Sequence, residues 1–157
     1  LNQEKLSSTH FLLFPRAATL TWSDDTRYWS WNPVDFCGYQ LEEAQLSRVS
    51  WFDCRWTVNT TDLKTNVWYN VFLKVQMGSG ASGWNTPLNL ELEMPNGSKQ
   101  ASQVVLNDRP RDVWFKLQMG NLMVSDSETC GALRMSLYNH QTNWKMGATL
   151  GPLALEA

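Results

Sequence analysis

Alternation of apolar and polar residues with a period of two is the feature that most constrains how this chain folds. In "YNVFLKVQM", residues 69–77, the tyrosine, two valines, leucine and methionine share one parity. The same alternation recurs in "LNLELEM" at 88–94, "VWFKLQM" at 113–119 and "LRMSLYN" at 133–139. Successive side chains of a β-strand point to opposite faces, so this period predicts half-buried strands in antiparallel sheets.

Weaker strand patterns and the turn signals between them indicate the architecture. Further strands are expected at 17–22, 48–58, 102–106 and 152–156, and the glycine- and serine-rich stretch at 78–83 reads as a turn. Only "QLEEAQL", residues 40–46, has helical spacing. The pattern predicts an all-β, single-domain chain, an antiparallel β-sandwich of jelly-roll or other Greek-key type, with a closed barrel as the alternative.

Charge and hydropathy exclude some classes of protein. The formal net charge is −2, without a run of clustered lysine and arginine, which argues against a general nucleic-acid or anionic-membrane binder. The apolar run "FLLF" at 11–14 ends at a proline and is too short for a signal-peptide core or a membrane span. We therefore expect no signal peptide.

The cysteines favour a reducing compartment. Cys37, Cys54 and Cys130 are odd in number and lack the spacing of a metal site. One disulfide with a leftover thiol, or a cross-link between chains, remains an alternative, and the pairing is left open. The sequons at Asn59 and Asn96 matter only if the protein is secreted.

Signals for catalysis, metals and cofactors are weak. The two histidines, His10 and His140, lie in no metal-ligand pattern, and the chain has no phosphate-binding glycine loop and no nucleophile elbow. Asp24 and Asp25 are adjacent, so on a strand their side chains point to opposite faces and need not share a reacting centre. We expect no enzyme activity, no cofactor and no bound metal.

The segment "WSDDTRYWSWNP", residues 22–33, is the main candidate for a binding site, and its pattern alone leaves binding and packing open. It carries three of the nine tryptophans together with a tyrosine, two aspartates and an arginine. A sugar ring has an apolar face and a fringe of hydroxyls, so it is bound by a flat aromatic ring with short polar groups at the edge. The alternative is a core strand whose rings only fill space.

The other tryptophans differ in their surroundings. Trp144, in the polar stretch "HQTNWK", is the second candidate for a ligand platform, with packing as the alternative. Trp51 and Trp56 have opposite parities, so at least one is expected outside the main core. Trp68 is expected to pack, and Trp84 is expected at a loop tip.

Five stretches in the same order resemble the phloem protein 2 domain of plants, the Nictaba-like lectins. They are "FPRAATLTWSDDTRYWSW", "VSWFDCRWTV", "WYNVFLKVQM", "RDVWFKLQMGNL" and "WKMGATLGPLALE", and the resemblance covers about residues 11–156. It implies a β-sandwich lectin that binds N-acetylglucosamine oligomers, namely chito-oligosaccharides and the chitobiose core of N-glycans, without catalysis and without metal. The chain departs from the family in having Arg16-Ala17-Ala18 where Arg-Asp-Leu is frequent, and in ending its last strand with "LALEA".

The resemblance also implies a homodimer made without a signal peptide and found in the cytoplasm or phloem sap. A nuclear location is less supported, because the lysine-rich import sequences of some members are absent. The alternative function is a structural or RNA-associated phloem protein that is cross-linked through its cysteines. RNA is the less favoured partner on charge grounds.

The family's two functional tryptophans, seven residues apart, correspond to Trp22 and Trp29, and its C-terminal Trp-Lys corresponds to Trp144 and Lys145. Either Trp22 or Trp29 is expected to stack under a sugar ring, and Trp31 is expected to return to the core. The aspartates are expected to accept hydrogen bonds from sugar hydroxyls, and the loop around Trp144 to form the opposite wall. Arg27 either braces the aspartates, which is the favoured interpretation, or contacts the sugar. The predicted carbohydrate-binding residues are Trp22, Ser23, Asp24, Asp25, Arg27, Tyr28, Trp29, His140, Asn143, Trp144 and Lys145.

Overall fold

The computed structural model describes residues 2–36, 38–128 and 130–157. Over these residues the chain is almost entirely β-structure, interrupted by 3₁₀ turns at Pro15–Ala17, Thr60–Asp62 and Asp126–Glu128. The all-β prediction is confirmed. In chain order the strands are β1 (Gln3–Ser7), β2 (His10–Leu13), β3 (Thr19–Leu20), β4 (Trp29–Phe36), β5 (Tyr39–Leu46), β6 (Phe52–Asn59), β7 (Trp68–Ser82), β8 (Leu88–Glu93), β9 (Lys99–Val104), β10 (Trp114–Met123), β11 (Ala132–Asn139) and β12 (Met146–Glu156).

Two antiparallel sheets make up the described part of the chain. The smaller sheet has the strand order β3-β6-β11-β8-β9. The larger sheet has the order β1-β2-β12-β5-β4, and β7 and β10 extend it on the other side of β12. The main hydrophobic core takes residues from both sheets, as in a β-sandwich, so the sandwich prediction is confirmed over the barrel alternative.

Strand β12 organises the larger sheet. It pairs with β7 along most of its length, and on its other side it pairs first with β5, at Thr149 and Leu150, and then with β2, from Leu153 to Glu156. Gly151 and Pro152 lie between these two neighbours, where the register with β7 also shifts. Proline has no N–H for a ladder, so an interruption at this point is expected.

The core follows the period-two pattern. Tyr69, Val71, Leu73, Val75 and Met77 are all at most 1% exposed. The alternate leucines of β8 and the alternate leucines and methionine of β11 are at most 2% exposed. Full burial of one such side chain contributes about 1.5–3 kcal/mol, so these rows hold the sheets together.

The helix expected at 40–46 is absent, because this segment is strand β5. It pairs with β4 in a ladder that sets Ala44 opposite Trp31 and Leu46 opposite Trp29. A helix of seven residues has too few internal hydrogen bonds to offset its nucleation cost, whereas the ladder also buries Ala44 and Leu46 in the core.

The turn expected at 78–83 is also wrong, since β7 continues to Ser82 and pairs there with Met146 of β12. Glycines make this close pairing possible: a Cβ on Gly147, which has φ +84°, would lie 2.7 Å from the Cα of Ala81. Strands β1 and β2 were not predicted. β1 is mostly exposed and therefore carries no alternating pattern.

The cysteines differ in exposure. Cys54 is a buried free thiol in β6 and Cys130 is an exposed free thiol. Cys37 lies outside the described residues, so the pairing of the cysteines and any cross-link between chains stay predictions. In the described parts of the chain, no helix has the length and hydropathy needed to cross a bilayer.

Candidate functional site

The aspartate-containing segment folds as a chain of tight turns between β3 and β4. The N–H of Ser23 donates to the carbonyl of Leu20 (3.2 Å), and that of Asp25 donates to the carbonyl of Trp22 (3.1 Å). Trp22 itself has φ 60°, in the left-handed region that non-glycine residues avoid. Such a conformation costs about 1–3 kcal/mol and concentrates at ligand-binding sites.

The turn displays the ring of Trp22 to solvent. Trp22 is 54% exposed, and its ring centroid lies 4.8 Å from that of Tyr28 at an interplanar angle of 48°. The two rings bound an open cleft of about 650 Å³. The residues lining this cleft are Trp22, Asp24, Asp25, Thr26, Arg27 and Tyr28.

The two aspartates of the turn have different environments. The Arg27 side chain donates to both carboxylate oxygens of Asp25, with Nη2 2.8 Å from Oδ2, and the Arg27 backbone N–H donates to Oδ1 at 2.9 Å. These hydrogen bonds hold the pKa of Asp25 below its ordinary value. Arg27 therefore braces Asp25, as expected. Asp24 is exposed and makes no hydrogen bond with a described residue, so both its oxygens are open to a ligand.

Trp29 does not present its ring to solvent, and its predicted role as a stacking platform is corrected. It is 1% exposed, and its ring stacks on Phe52 in the core at 6.4 Å. Its indole N–H donates to the carbonyl of Thr21 at 2.9 Å. Trp29 is the first residue of β4 and its side chain lies in the core. Its hydrogen bond to Thr21 therefore anchors the turn that carries Trp22.

Trp31 has a similar anchoring role. It is partly buried against the core, and its indole N–H donates to the carbonyl of Ser23 at 3.3 Å. Ser23 therefore contributes a backbone carbonyl that holds the turn. The indoles of Trp29 and Trp31 bind the carbonyls on either side of Trp22, which keeps the strained residue in place.

Lys145 is a buried structural residue, which corrects its prediction as a sugar contact. It is 0% exposed, and its ammonium donates to the carbonyls of Ser50, Gln141 and Asn143 at 2.6, 2.9 and 3.0 Å. Desolvation lowers the pKa of this ammonium. All three of its donor hydrogens are used, so none is free for a ligand.

Asn143 is likewise turned inward. Its Nδ2 donates to the carbonyl of Gly83 at 2.9 Å, and its Oδ1 is buried. The next residue, Trp144, is 48% exposed, and the guanidinium carbon of Arg48 lies 5.5 Å from its ring centroid. Gly83, with φ +86°, lies so close to this loop that a Cβ would be 1.9 Å from the Trp144 carbonyl oxygen.

His140 contacts two aromatic rings. Trp51 stacks on it with centroids 3.6 Å apart and planes 3° from parallel, and the centroid of Tyr138 lies 4.9 Å away with planes 30° apart. Its Nε2 is 2.8 Å from Oδ2 of Asp53, which also receives Nη2 of Arg55 at 3.0 Å. His140 therefore supports Trp51, which is 49% exposed and was not among the predicted site residues.

Hydrogen bonds join the segments that carry these aromatic rings. Ser47 N–H donates to the Tyr28 carbonyl at 2.7 Å, and Thr21 N–H donates to the Asp53 carbonyl at 3.1 Å. Val49 and Lys145 exchange two backbone hydrogen bonds at 2.9 and 2.8 Å. We refer to the exposed rings of Trp22, Trp51 and Trp144, which these hydrogen-bonded segments carry, as the tryptophan surface. The sequence signal for Trp51 was the parity of "VSWFDCRWTV", which predicts that Trp51 and Trp56 point to opposite faces of the strand.

The remaining tryptophans test the parity argument. Trp56 is 2% exposed while Trp51 is exposed, so the prediction that one of the pair leaves the core is confirmed. Trp68 is 63% exposed and Trp84 1% exposed, so both expectations for these residues were wrong. Trp84 is fixed by its indole N–H, which donates to the Met146 carbonyl at 2.9 Å. Among the described residues, no three His, Cys, Asp or Glu side chains are grouped to hold a metal ion.

Comparison with known sequences gives one family and several relatives. The profile of the family "Phloem protein 2" matches residues 8–154. The chain is 40% identical over 134 residues to a lectin of Luffa acutangula, an alignment covering 85% of this chain and 64% of the lectin. It is 33% identical over 156 residues to Protein PHLOEM PROTEIN 2-LIKE A1 of Arabidopsis thaliana, covering 97% of this chain and 63% of that protein. The chain thus spans slightly less than two thirds of either relative.

Solved structures with a similar fold have diverse activities. A GH26-CBM35 β-(1,4)-mannanase of Podospora anserina superposes with a TM-score of 0.56 at 11% identity, over 96% of this chain and 28% of the enzyme. The insecticidal crystal protein Cry2Aa superposes with a TM-score of 0.53 at 17% identity, over 98% of this chain and 22% of that one. At such identities the likeness establishes the fold alone.

Proposed function

This chain belongs to the phloem protein 2 family, and we propose that it is a lectin that binds N-acetylglucosamine oligomers without catalysing a reaction. Chito-oligosaccharides and the chitobiose core of N-glycans are the proposed ligands. The observation that carries the proposal is the exposed, strained Trp22 beside one braced and one open aspartate. The Luffa relative, which is named a lectin, supports the same class of function.

In the proposed complex, Trp22 stacks under one N-acetylglucosamine ring. The ring's apolar face lies on the indole, while the carboxylate of Asp24 and the braced carboxylate of Asp25 accept hydrogen bonds from its hydroxyls. Tyr28 supplies its phenol at the side of the cleft. Because Arg27 already holds Asp25, less side-chain entropy is lost on binding.

Further sugars of the oligomer extend across the tryptophan surface. Trp144 and Trp51 each have a ring accessible to solvent and a second group supporting that ring, Arg48 in one case and His140 in the other. Trp144 thus keeps its predicted role in the proposed site, and Trp51 is added to it in place of Trp29. A shallow site of this kind binds an oligomer with about −5 to −7 kcal/mol.

The homodimer and the location in cytoplasm or phloem sap are part of the same proposal. Two shallow sites on one dimer would raise the avidity for a multivalent glycan, since the second binding event becomes intramolecular. Light scattering coupled to size exclusion measures the assembly state directly.

The test uses isothermal titration calorimetry with chitotriose and the variant Trp22→Ala. We expect the affinity to fall at least about tenfold, since a stacking contact of about 1.4 kcal/mol or more is removed. Trp68→Ala is the matched control, because Trp68 is also an exposed tryptophan but lies at the start of β7, outside the tryptophan surface. Equal affinities of the Trp22→Ala and wild-type proteins would overturn the proposed site.

A glycan array tests which sugars the protein binds, independently of where on the protein they bind. Binding that rises with chito-oligomer length supports the proposed ligand, while exclusive binding to another sugar would contradict it. Unchanged chitotriose after long incubation is the expected result for a protein without hydrolytic activity.

A further inference from the structure

The outer face of the larger sheet contains an apolar groove that is separate from the tryptophan surface. Its main part has a volume of about 270 Å³. Its apolar lining consists of Pro15, Val34, Leu41, Trp114, Gly151 and Pro152. A second, smaller cleft of about 170 Å³ shares Lys74 and Pro152 with it and continues along Leu12, Phe72 and Ala154.

The groove exists because of the way β12 changes neighbours. β5 pairs with β12 as far as Leu150, and β2 begins to pair with it only at Leu153. Gly151 and Pro152 therefore have no strand beside them on that side. Gly151 also leaves the floor of the groove without a side chain. A Cβ at this position would lie 3.1 Å from Cβ of Lys74 and 3.2 Å from the ring of Trp114.

Two lysines lie at the junction of the two clefts. Lys74 of β7 lines both clefts, and Lys116 of β10 is its direct partner in the ladder. Like charges opposite each other on neighbouring strands destabilise a sheet. Neither lysine forms an ion pair with a described residue, although Lys116 Nζ lies 4.5 Å from the ring centroid of Phe72.

Acidic residues lie at the other end of the main groove. Asp35, Glu42 and Glu43 line it there, and Glu42 is paired with Arg16. At the far side of the smaller cleft, Glu156 lies 3.8 Å from His10. An anion in the groove is thus attracted to the lysine pair and repelled from either end.

We propose that this groove binds a single-chain amphiphilic anion, with a carboxylate or phosphate head at Lys74 and Lys116 and an alkyl tail along Pro152 and Trp114. An apolar groove accepts the tail because burying CH₂ groups is favourable by about 0.8 kcal/mol each. The head relieves the repulsion between the two ammonium groups. This site is independent of the sugar site, from which it differs in both residues and chemistry.

The experiment titrates the full chain with dodecanoate below its micellar concentration, followed by calorimetry. Dodecyl phosphate and dodecanol are parallel ligands of the same tail length. We expect dodecanoate and dodecyl phosphate to bind and dodecanol to bind at least about tenfold more weakly, because it lacks the charge-assisted hydrogen bonds of the head. The relative affinity of the two anions identifies the preferred head.

Lys116→Glu and Trp114→Ala are the variants that test the placement. Both are expected to weaken dodecanoate binding at least about tenfold. The controls are Lys64→Glu, the same charge change at an exposed lysine elsewhere, and Trp68→Ala, the same truncation on the same face outside the groove. Far-UV circular dichroism spectra and urea midpoints equal to those of wild type verify that the groove variants are folded.

Three binding results would overturn the proposal. The first is that neither anion binds, and the second is that dodecanol binds as tightly as dodecanoate. The third is an equal loss of dodecanoate affinity in Lys116→Glu and Lys64→Glu. A dimer that is broken by Trp114→Ala and unaffected by dodecanoate would also contradict it, because the groove would then be covered by a second copy of the chain.

Discussion

At the scale of single residues, the two tryptophans that flank the acidic turn have opposite environments. Trp22 displays its ring in a left-handed backbone conformation, whereas Trp29, seven residues on, is buried and binds the Thr21 carbonyl. One residue offers the surface and the other fixes the backbone that presents it. Their substitutions should therefore have different effects.

Trp29→Ala should lower the free energy of unfolding by about 3–5 kcal/mol, because it leaves a large cavity in the core. Trp22→Ala should change the free energy of unfolding by less than about 1 kcal/mol, since the ring is exposed. Urea denaturation followed by far-UV circular dichroism measures both. A small loss in Trp29→Ala would contradict the anchoring role.

At the scale of secondary-structure elements, Asp53 connects β6 to the segment that follows β11. Its carboxylate accepts a hydrogen bond from Arg55, which is also in β6, and contacts His140 beyond the end of β11. Trp51 stacks on the ring of His140. Desolvation alone would raise the pKa of Asp53, but the hydrogen bonds from Arg55 and His140 together hold that pKa below its ordinary value. The folded state therefore favours the ionised carboxylate.

Asp53→Asn should consequently alter how stability depends on pH. A carboxyl group whose pKa is lowered by folding contributes stability above its unfolded pKa of about 3.9, and this contribution is lost as pH falls through the folded pKa. We expect the variant to be less stable than wild type near pH 7 by about 1–3 kcal/mol, with the difference shrinking below about pH 4.

Urea denaturation at a series of pH values measures this difference. Asp62→Asn is a control, because Asp62 lies in a 3₁₀ turn away from His140. A difference between Asp53→Asn and wild type that stays constant across the acid range would contradict the assigned ionisation.

At the scale of the whole molecule, the small net charge is consistent with binding a neutral sugar rather than RNA. The formal net charge is −2, and sugar recognition at the tryptophan surface uses stacking and hydrogen bonds with a neutral ligand. Binding of RNA would release counterions and would depend steeply on salt.

Chitotriose affinity should change less than about twofold between about 50 and about 500 mM NaCl, because no counterions are released. Dodecanoate affinity should fall over the same range, since its head group is attracted to lysines that are open to solvent. Calorimetry at several salt concentrations measures both ligands. A steep decrease for chitotriose would contradict stacking as the main contribution.

The sequence alone determined that the chain folds into antiparallel β-structure, and which side chains of the strongly alternating strands face inward. Strict alternation at 69–77, 88–94 and 133–139 has one low-energy solution, in which every second side chain is buried between two sheets. The turn around Asp24 and Asp25 and its bracing by Arg27 are local, so they too could be predicted. That at least one of Trp51 and Trp56 leaves the core also followed from parity.

Only the tertiary structure decided which aromatic rings are available to a ligand. Segments distant in the chain bury the side chains of Trp29, Trp84 and Lys145. The local sequence around each residue therefore could not predict its burial. The strand at 40–46 forms because β4 offers a ladder that outweighs a short helix. The groove at Gly151 and Pro152 likewise depends on where β5 ends and β2 begins along β12, which is a property of strand pairing between distant segments.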